Sequence, residues 1–197
     1  MGVATGLSLE TSLAEPMIKG LAFNSVVSAV RSLKGEAGVE DVLAAVPPGI
    51  AQRLRQREFL VAGWYPVASY CQLLVGVRQL GGEAFLREIG AASMRADLTS
   101  IHRLVLKLLS PSTLMSISQR MFPRYFTMGK IELVSKEDRY LRARYSECQG
   151  WSREMWVEQF AGAETFLQLA GAKAVSVRPV LGGRQGDTEA VIEARWS

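Results

Sequence analysis

Apolar residues recur at helical spacing through most of the first two thirds of the chain, then switch to alternation. From Met17 to Leu33 the apolar positions Phe23, Val26, Val27, Val30 and Leu33 predict a helix, entered through an extended turn at Lys19-Gly20 and stopped by Lys34-Gly35. Val39 to Val46 predicts a short amphipathic helix ended by Pro47-Pro48, and Pro48 suits the first turn of a further helix, Gly49 to Arg57. Trp64-Tyr65-Pro66 reads as an aromatic turn ahead of a helix from Val67 to Leu80, which Gly81-Gly82 closes. The longest helical pattern runs from Glu83 to Leu109, with Phe85, Ile89, Ala92, Leu98, Ile101, Val105 and Leu108 as a broad apolar stripe. Ser110-Pro111 breaks it, and Ser112 is placed to cap a helix over roughly Thr113 to Tyr125.

Near Gly129 the period changes. Ile131 and Leu133 alternate with Glu132 and Val134, and Leu141, Ala143 and Tyr145 alternate with Arg142, Arg144 and Ser146. Lys136 to Arg139 makes the turn of an antiparallel hairpin between them. Trp151 to Ala170 returns to helical spacing through Trp156, Phe160, Ala163 and Leu167, and Gly171 stops it. Val175 and Val177, then Ala190, Ile192, Ala194 and Trp196, alternate again across a Gly182–Gly186 loop. The pattern predicts an α+β fold: a helical N-terminal part followed by a strand-strand-helix-strand-strand unit with a four-stranded, mainly antiparallel sheet. Its charged face (Glu132, Arg142, Arg144, Arg178, Glu193, Arg195) meets water and its apolar face meets a helix. Residues 1–15 read as a loose arm, and residues 16–197 as a single domain.

At 197 residues and 48% hydrophobic content the chain can bury one substantial core. No apolar run reaches the roughly 18–20 residues that cross a bilayer, and the start lacks the pattern of a secretory signal, so a soluble cytoplasmic protein is expected. A net charge of +4 is modest for this length, and the Arg53–Arg55–Arg57 and Arg139–Arg142–Arg144 sets read as solvated faces, so no nucleic-acid partner is expected. Cys71 and Cys148 belong to no paired motif and read as buried free thiols. One histidine, His102, cannot assemble a multi-histidine or Cys/His zinc site within one chain.

Gly182-Gly183 and Gly186 lie between two strands and lack a Lys-Ser/Thr pair, so they read as a hairpin turn and not as a phosphate loop. There is no Gly-x-Ser-x-Gly elbow, and Glu83, Glu88, Glu154 and Glu158 read as helix-surface carboxylates unless burial perturbs them. No enzyme is indicated. His102 falls with Leu98, Val105 and Leu109 at turn-like spacing, so its ring points to the core. There it serves either as a hydrogen-bonded structural imidazole or as a haem axial ligand, a role that needs only one histidine. Trp64 and Tyr65, each an apolar body with a polar tip, suit the wall of a pocket against the long helix, with Tyr70, His102 and Tyr125 completing the candidate lining. The competing reading has them plug the core beneath Tyr70 and His102.

The segments Lys19-Gly20-Leu21-Ala22-Phe23, Trp64-Tyr65-Pro66-Val67, Gly81-Gly82-Glu83, Arg87-Glu88-Ile89-Gly90, Gly171-Ala172-Lys173 and Arg195-Trp196 resemble a protein family known mainly from myxobacteria, which has no established activity. More distantly, the element order resembles the superfamily of haem nitric-oxide/oxygen-binding domains, 4-vinyl reductase domains and small subunits of the TRAPP tethering complex. That resemblance implies a cavity between helices and sheet, holding haem, a small aromatic molecule, an acyl chain or nothing. The departures matter. Haem-binding members carry Tyr-x-Ser-x-Arg, whereas here Tyr125-Phe126-Thr127-Met128-Gly129 has glycine in the place of the arginine. His102 also sits about one helical turn closer to Pro111 than the corresponding histidine sits to its proline. Cys148 resembles the cysteine before the last long helix of 4-vinyl reductase domains, but the acidic, cysteine-containing motif expected after that helix is missing. The expectation is therefore a non-enzymatic regulatory, adaptor or ligand-binding domain of sensor type without a cofactor, taking a small apolar or aromatic ligand, a protein partner or a second copy. The alternative is a haem-dependent gas sensor using His102.

Overall fold

A computed structural model describes residues 14–98 and 111–197. Its first strand, β1 (Met17–Lys19), pairs antiparallel with β2 (Trp64–Pro66), with Ile18 opposite Tyr65. The expected aromatic turn is thus a strand. A residue before proline is biased to extended backbone, which favours that conformation at Tyr65, and pairing with β1 gives the exposed amides partners. Helix α1 (Gly20–Ala45) follows directly, and α2 (Pro48–Arg55) begins with a proline in its first turn as anticipated. The break expected at Lys34-Gly35 is present as a kink inside α1, where Gly35 is left-handed at φ 69°.

Helix α3 (Val67–Asp97) carries a second break of the same kind at Gly81-Gly82, with Gly82 at φ 72°. A β-carbon would strain these conformations, which is why glycine punctuates both helices. The long helix expected to reach Leu109 ends at Asp97. Leu98 turns extended (φ −90°, ψ 100°), and the Asp97 carboxylate is held across the core by the Ser25 hydroxyl at 2.5 Å. His102 lies outside the described residues.

Helix α4 (Pro111–Tyr125) already contains Ser112, so the helix begins at the proline and not after a serine cap. Strands β3 (Lys130–Glu137) and β4 (Tyr140–Ser146) form the expected hairpin, with a turn of only Asp138-Arg139 in which Arg139 is left-handed. Helix α5 (Arg153–Leu169) is capped by Ser152, whose hydroxyl accepts the Met155 N–H at 3.3 Å. Strands β5 (Ser176–Gly182) and β6 (Ala190–Arg195) complete a four-stranded sheet of order β3-β4-β6-β5, antiparallel throughout. The glycine loop joins β5 to β6 as a turn.

Leu141, Ala143, Tyr145, Ala190, Ile192 and Ala194 are buried on one sheet face, while Glu132, Arg144, Arg178 and Arg195 on the other are exposed. Ion pairs Arg144–Glu189 (2.8 Å) and Arg178–Glu193 (3.3 Å) lace that outer face. Bulges between Leu133 and Ser135 and between Pro179 and Leu181 interrupt the two edge strands, and Val134 is exposed there, on the outward side where the alternation with Ile131 and Leu133 places it. Such bulges hinder edge-to-edge pairing with another sheet. No described helix is long and apolar enough to cross a membrane.

Candidate functional site

Two aromatic clusters fill the interior. In the first, Phe23 of α1 stacks on Phe59 at 4.1 Å between centroids, and Tyr65 and Tyr70 meet Phe23 edge-on at 5.9 and 5.2 Å. The Tyr65 hydroxyl donates to the Glu58 carbonyl and accepts the Leu60 N–H, both at 2.8 Å, so β2 is pinned to the 57–63 loop. In the second, Phe122 and Phe126 beside α4, Tyr145 from β4, Trp151, and Trp156 and Phe160 from α5 meet between helices and sheet. Their centroids are 4.4–6.4 Å apart, the spacing of rings in direct contact.

Beside these rings lie two acids that the sequence pattern places on a helix surface unless burial perturbs them. Glu154 and Glu158 of α5 are each only 6% exposed. They are buried because α5 crosses α3 at close range: a β-carbon on Gly90 would sit 2.6 Å from the Glu158 carbonyl oxygen. Glu154 is neutralised by Arg78 at 3.0 Å. Glu158 accepts from Gln159 Nε2 at 2.9 Å. Burial pushes its carboxyl up to about 7, with Asp97 raising it further, while hydrogen bonds from Gln159 and Tyr70 lower it. Burial likewise raises Asp97, partly offset by Ser25. The Tyr70 and Tyr145 hydroxyls are pushed up by burial first and by the neighbouring Glu158 carboxylate as well. One signal for this burial was available in the sequence: Ala161, Gly162 and Thr165 are small residues on the same stripe, as a close helix crossing requires.

Four of the five sequence-predicted pocket residues are described. Tyr70 and Tyr125 share the electrostatic neighbourhood of Asp97. Tyr65 belongs to the first aromatic cluster and reaches Tyr70 through Phe23, so it plugs the core. Trp64 is 38% exposed at the surface, with the Lys19 ammonium 3.8 Å over its ring. His102, the fifth, is outside the described residues. The described groove lies elsewhere, between α1, α2 and the 57–63 loop. It measures about 530 Å3, with Val27, Val39, Leu43, Leu54 and Phe59 on its walls and Leu60 and Val61 at its lip. Ion pairs Arg31–Glu36 and Arg55–Glu40 sit on its rim. Cys71 and Cys148 are buried free thiols, as expected, and no group of three or more potential metal ligands occurs among the described residues.

No family model and no curated protein matches the chain. Solved structures do. An H-NOX protein from S. oneidensis in its Fe(II)NO state is 16% identical, with a TM-score of 0.66 over 91% of this chain and 99% of that one. An Fe(II) unliganded H-NOX protein from K. algicida is 14% identical, with a TM-score of 0.64 over 91% and 97%. An oxygen-binding H-NOX domain related to soluble guanylate cyclases is 12% identical, with a TM-score of 0.61 over 91% and 95%. At these identities the likeness establishes the fold, and it does so over nearly the whole length: the chain is folded like an H-NOX domain.

Proposed function

We propose that the chain is a non-enzymatic binding module of sensor or adaptor type that works without haem. The observation that carries this reading is the ring packing of Phe122, Phe126, Tyr145, Trp151, Trp156 and Phe160. A flat macrocycle held between two side chains separates them by about 7–8 Å, twice the contact distance of carbon on carbon. These rings stand 4.4–6.4 Å apart and touch one another. Gly129 supports the same conclusion. Its φ is 103°, and a β-carbon there would lie 2.9 Å from the Phe122 ring and 3.2 Å from Cys148 Sγ, so an arginine to grip propionates has no path from that position. Both features support a reading without haem.

The groove between α1 and α2 is the ligand site we assign. Its volume is in the range of small-molecule sites, and apolar walls with charged rims suit a small apolar or aromatic molecule. The family resemblance read from the sequence adds no reaction to this. A second reading, haem-dependent gas sensing through His102, is favoured by the fold likeness to proteins described by their Fe(II) ligation. Native mass spectrometry of protein purified from haem-supplied cells separates the two. The proposal expects a bound small molecule that is lost when Val27→Trp fills the groove, with the melting temperature unchanged. A bound mass equal to haem, retained in Val27→Trp, supports the gas sensor and overturns the proposal.

A further inference from the structure

Glu154 and Glu158 stand one turn apart on α5 and are equally buried, yet they are treated differently. Glu154 has the Arg78 guanidinium; no described lysine or arginine is paired with Glu158. An ionised carboxylate without a cation is costly to bury, so this side chain is stable in its place only when it carries a proton. Its surroundings act in both senses: burial and Asp97 favour the proton, hydrogen bonds from Gln159 and Tyr70 favour the charge, and burial is the largest of these. From α3 it faces the Tyr70 hydroxyl and, beyond it, Asp97, which the Ser25 hydroxyl of α1 holds. From β4 it faces Tyr145, and from its own helix Gln159. Tyr70 and Tyr145 are raised further above the ordinary phenol range, so neither ionises near neutral pH. Asp97 is raised as well, and two carboxylates sharing one interior favour a proton on one of them.

The position converts this chemistry into movement. Glu158 lies where α5 touches α3 at Gly90, with Gly162 and Met94 one turn further on, so its own backbone carbonyl is part of the contact. Outside the crossing, Arg87–Glu164 (2.9 Å) and Arg153–Glu83 (2.5 Å) join the same two helices on their more exposed sides. Each of those acids has its cation, and Asp97 has the Ser25 hydroxyl, which leaves Glu158 as the acid seated at the crossing itself with no described lysine or arginine paired with it. We propose that Glu158 is a proton-operated latch at the α3–α5 crossing: neutral, it lets the two backbones close, and ionised, it opens the crossing between the helical half and the sheet. This is independent of what the α1–α2 groove binds, and it assigns the domain a response to pH.

Hydrogen exchange of the amides in residues 83–97 and 153–169, corrected for intrinsic base catalysis, tests the latch on the intact chain. Opening in the wild type is expected to rise about tenfold per pH unit between 5 and 7 and to level off above that, following proton release from one group. Glu158→Gln, which keeps the shape and removes the charge, should give a flat profile. Carboxyl carbon shifts of 13C-glutamate-labelled wild type read the same site without any substitution, and one glutamate should titrate close to pH 7. Exchange that is flat with pH in the wild type, a slope that persists in Glu158→Gln, or all glutamate carboxyls titrating near the ordinary value of about 4.3 would each overturn the proposal.

Discussion

Gly90 has no side chain, and the place one would occupy is 2.6 Å from the backbone oxygen of Glu158. Backbone cannot rotate away as a side chain can, so Gly90→Ala should push α3 and α5 apart and lower stability by about 1–3 kcal/mol in chemical denaturation, the usual range for overpacking. A neutral result would mean that the helices do not cross so closely. Trp64 makes the opposite case. Three large residues in a row suggested a pocket wall or a core plug, and the structure divides them: Tyr65 is tied down by two hydrogen bonds while Trp64 lies at the surface under Lys19. Trp64→Ala should therefore cost no more than about 1 kcal/mol, the scale of an exposed cation–π contact. Phe59→Ala, which removes a fully buried stacked ring, should cost about 3–5 kcal/mol. Thermal melting of both variants checks the contrast, and equal losses would contradict it.

Among elements, those with enough residues to establish a period were legible. The strands of the main sheet, α5 and the breaks at Gly35 and Gly82 all follow from spacing and punctuation. β1 and β2 were not legible, because three residues are too few for alternation to show, and their pairing joins positions more than forty residues apart. The bulge at Val134 was hidden because the alternation of Ile131 and Leu133 with Glu132 and Val134 runs through it unbroken. The buried acids were hard to read for another reason: a glutamate on an amphipathic helix is ordinarily solvated, and only the small residues Ala161, Gly162 and Thr165 mark that stripe of α5 as buried. At this scale Ser152 is a direct test. Its hydroxyl caps the helix that carries Glu154 and Glu158, so Ser152→Ala should lower stability by about 1 kcal/mol without changing the fold. Unaltered denaturation would show that the cap contributes nothing.

For the whole molecule, the buried acids set a pH dependence with a definite sign. The folded state raises Glu158 from 4.5 to about 7 and so holds its proton more tightly than the unfolded chain does. That contribution is complete below pH 4.5 and is lost as pH rises towards 7. At about 1.4 kcal/mol per tenfold change in proton affinity it amounts to about 3 kcal/mol. Asp97 shifts in the same direction. Denaturation midpoints should fall between about pH 5 and 7 in the wild type and much less in Glu158→Gln, and a wild type that gains stability over that interval would contradict the assignment. The proposal that the chain works without haem rests on aromatic rings that pack directly against one another, the Trp151–Trp156 centroids being 4.4 Å apart. Absorption spectroscopy of the purified protein titrated with haemin tests it most directly. The expected result is no saturable Soret band at one equivalent and no spectral response to nitric oxide after reduction. A sharp Soret band that saturates at one haem per chain and shifts with nitric oxide would contradict it.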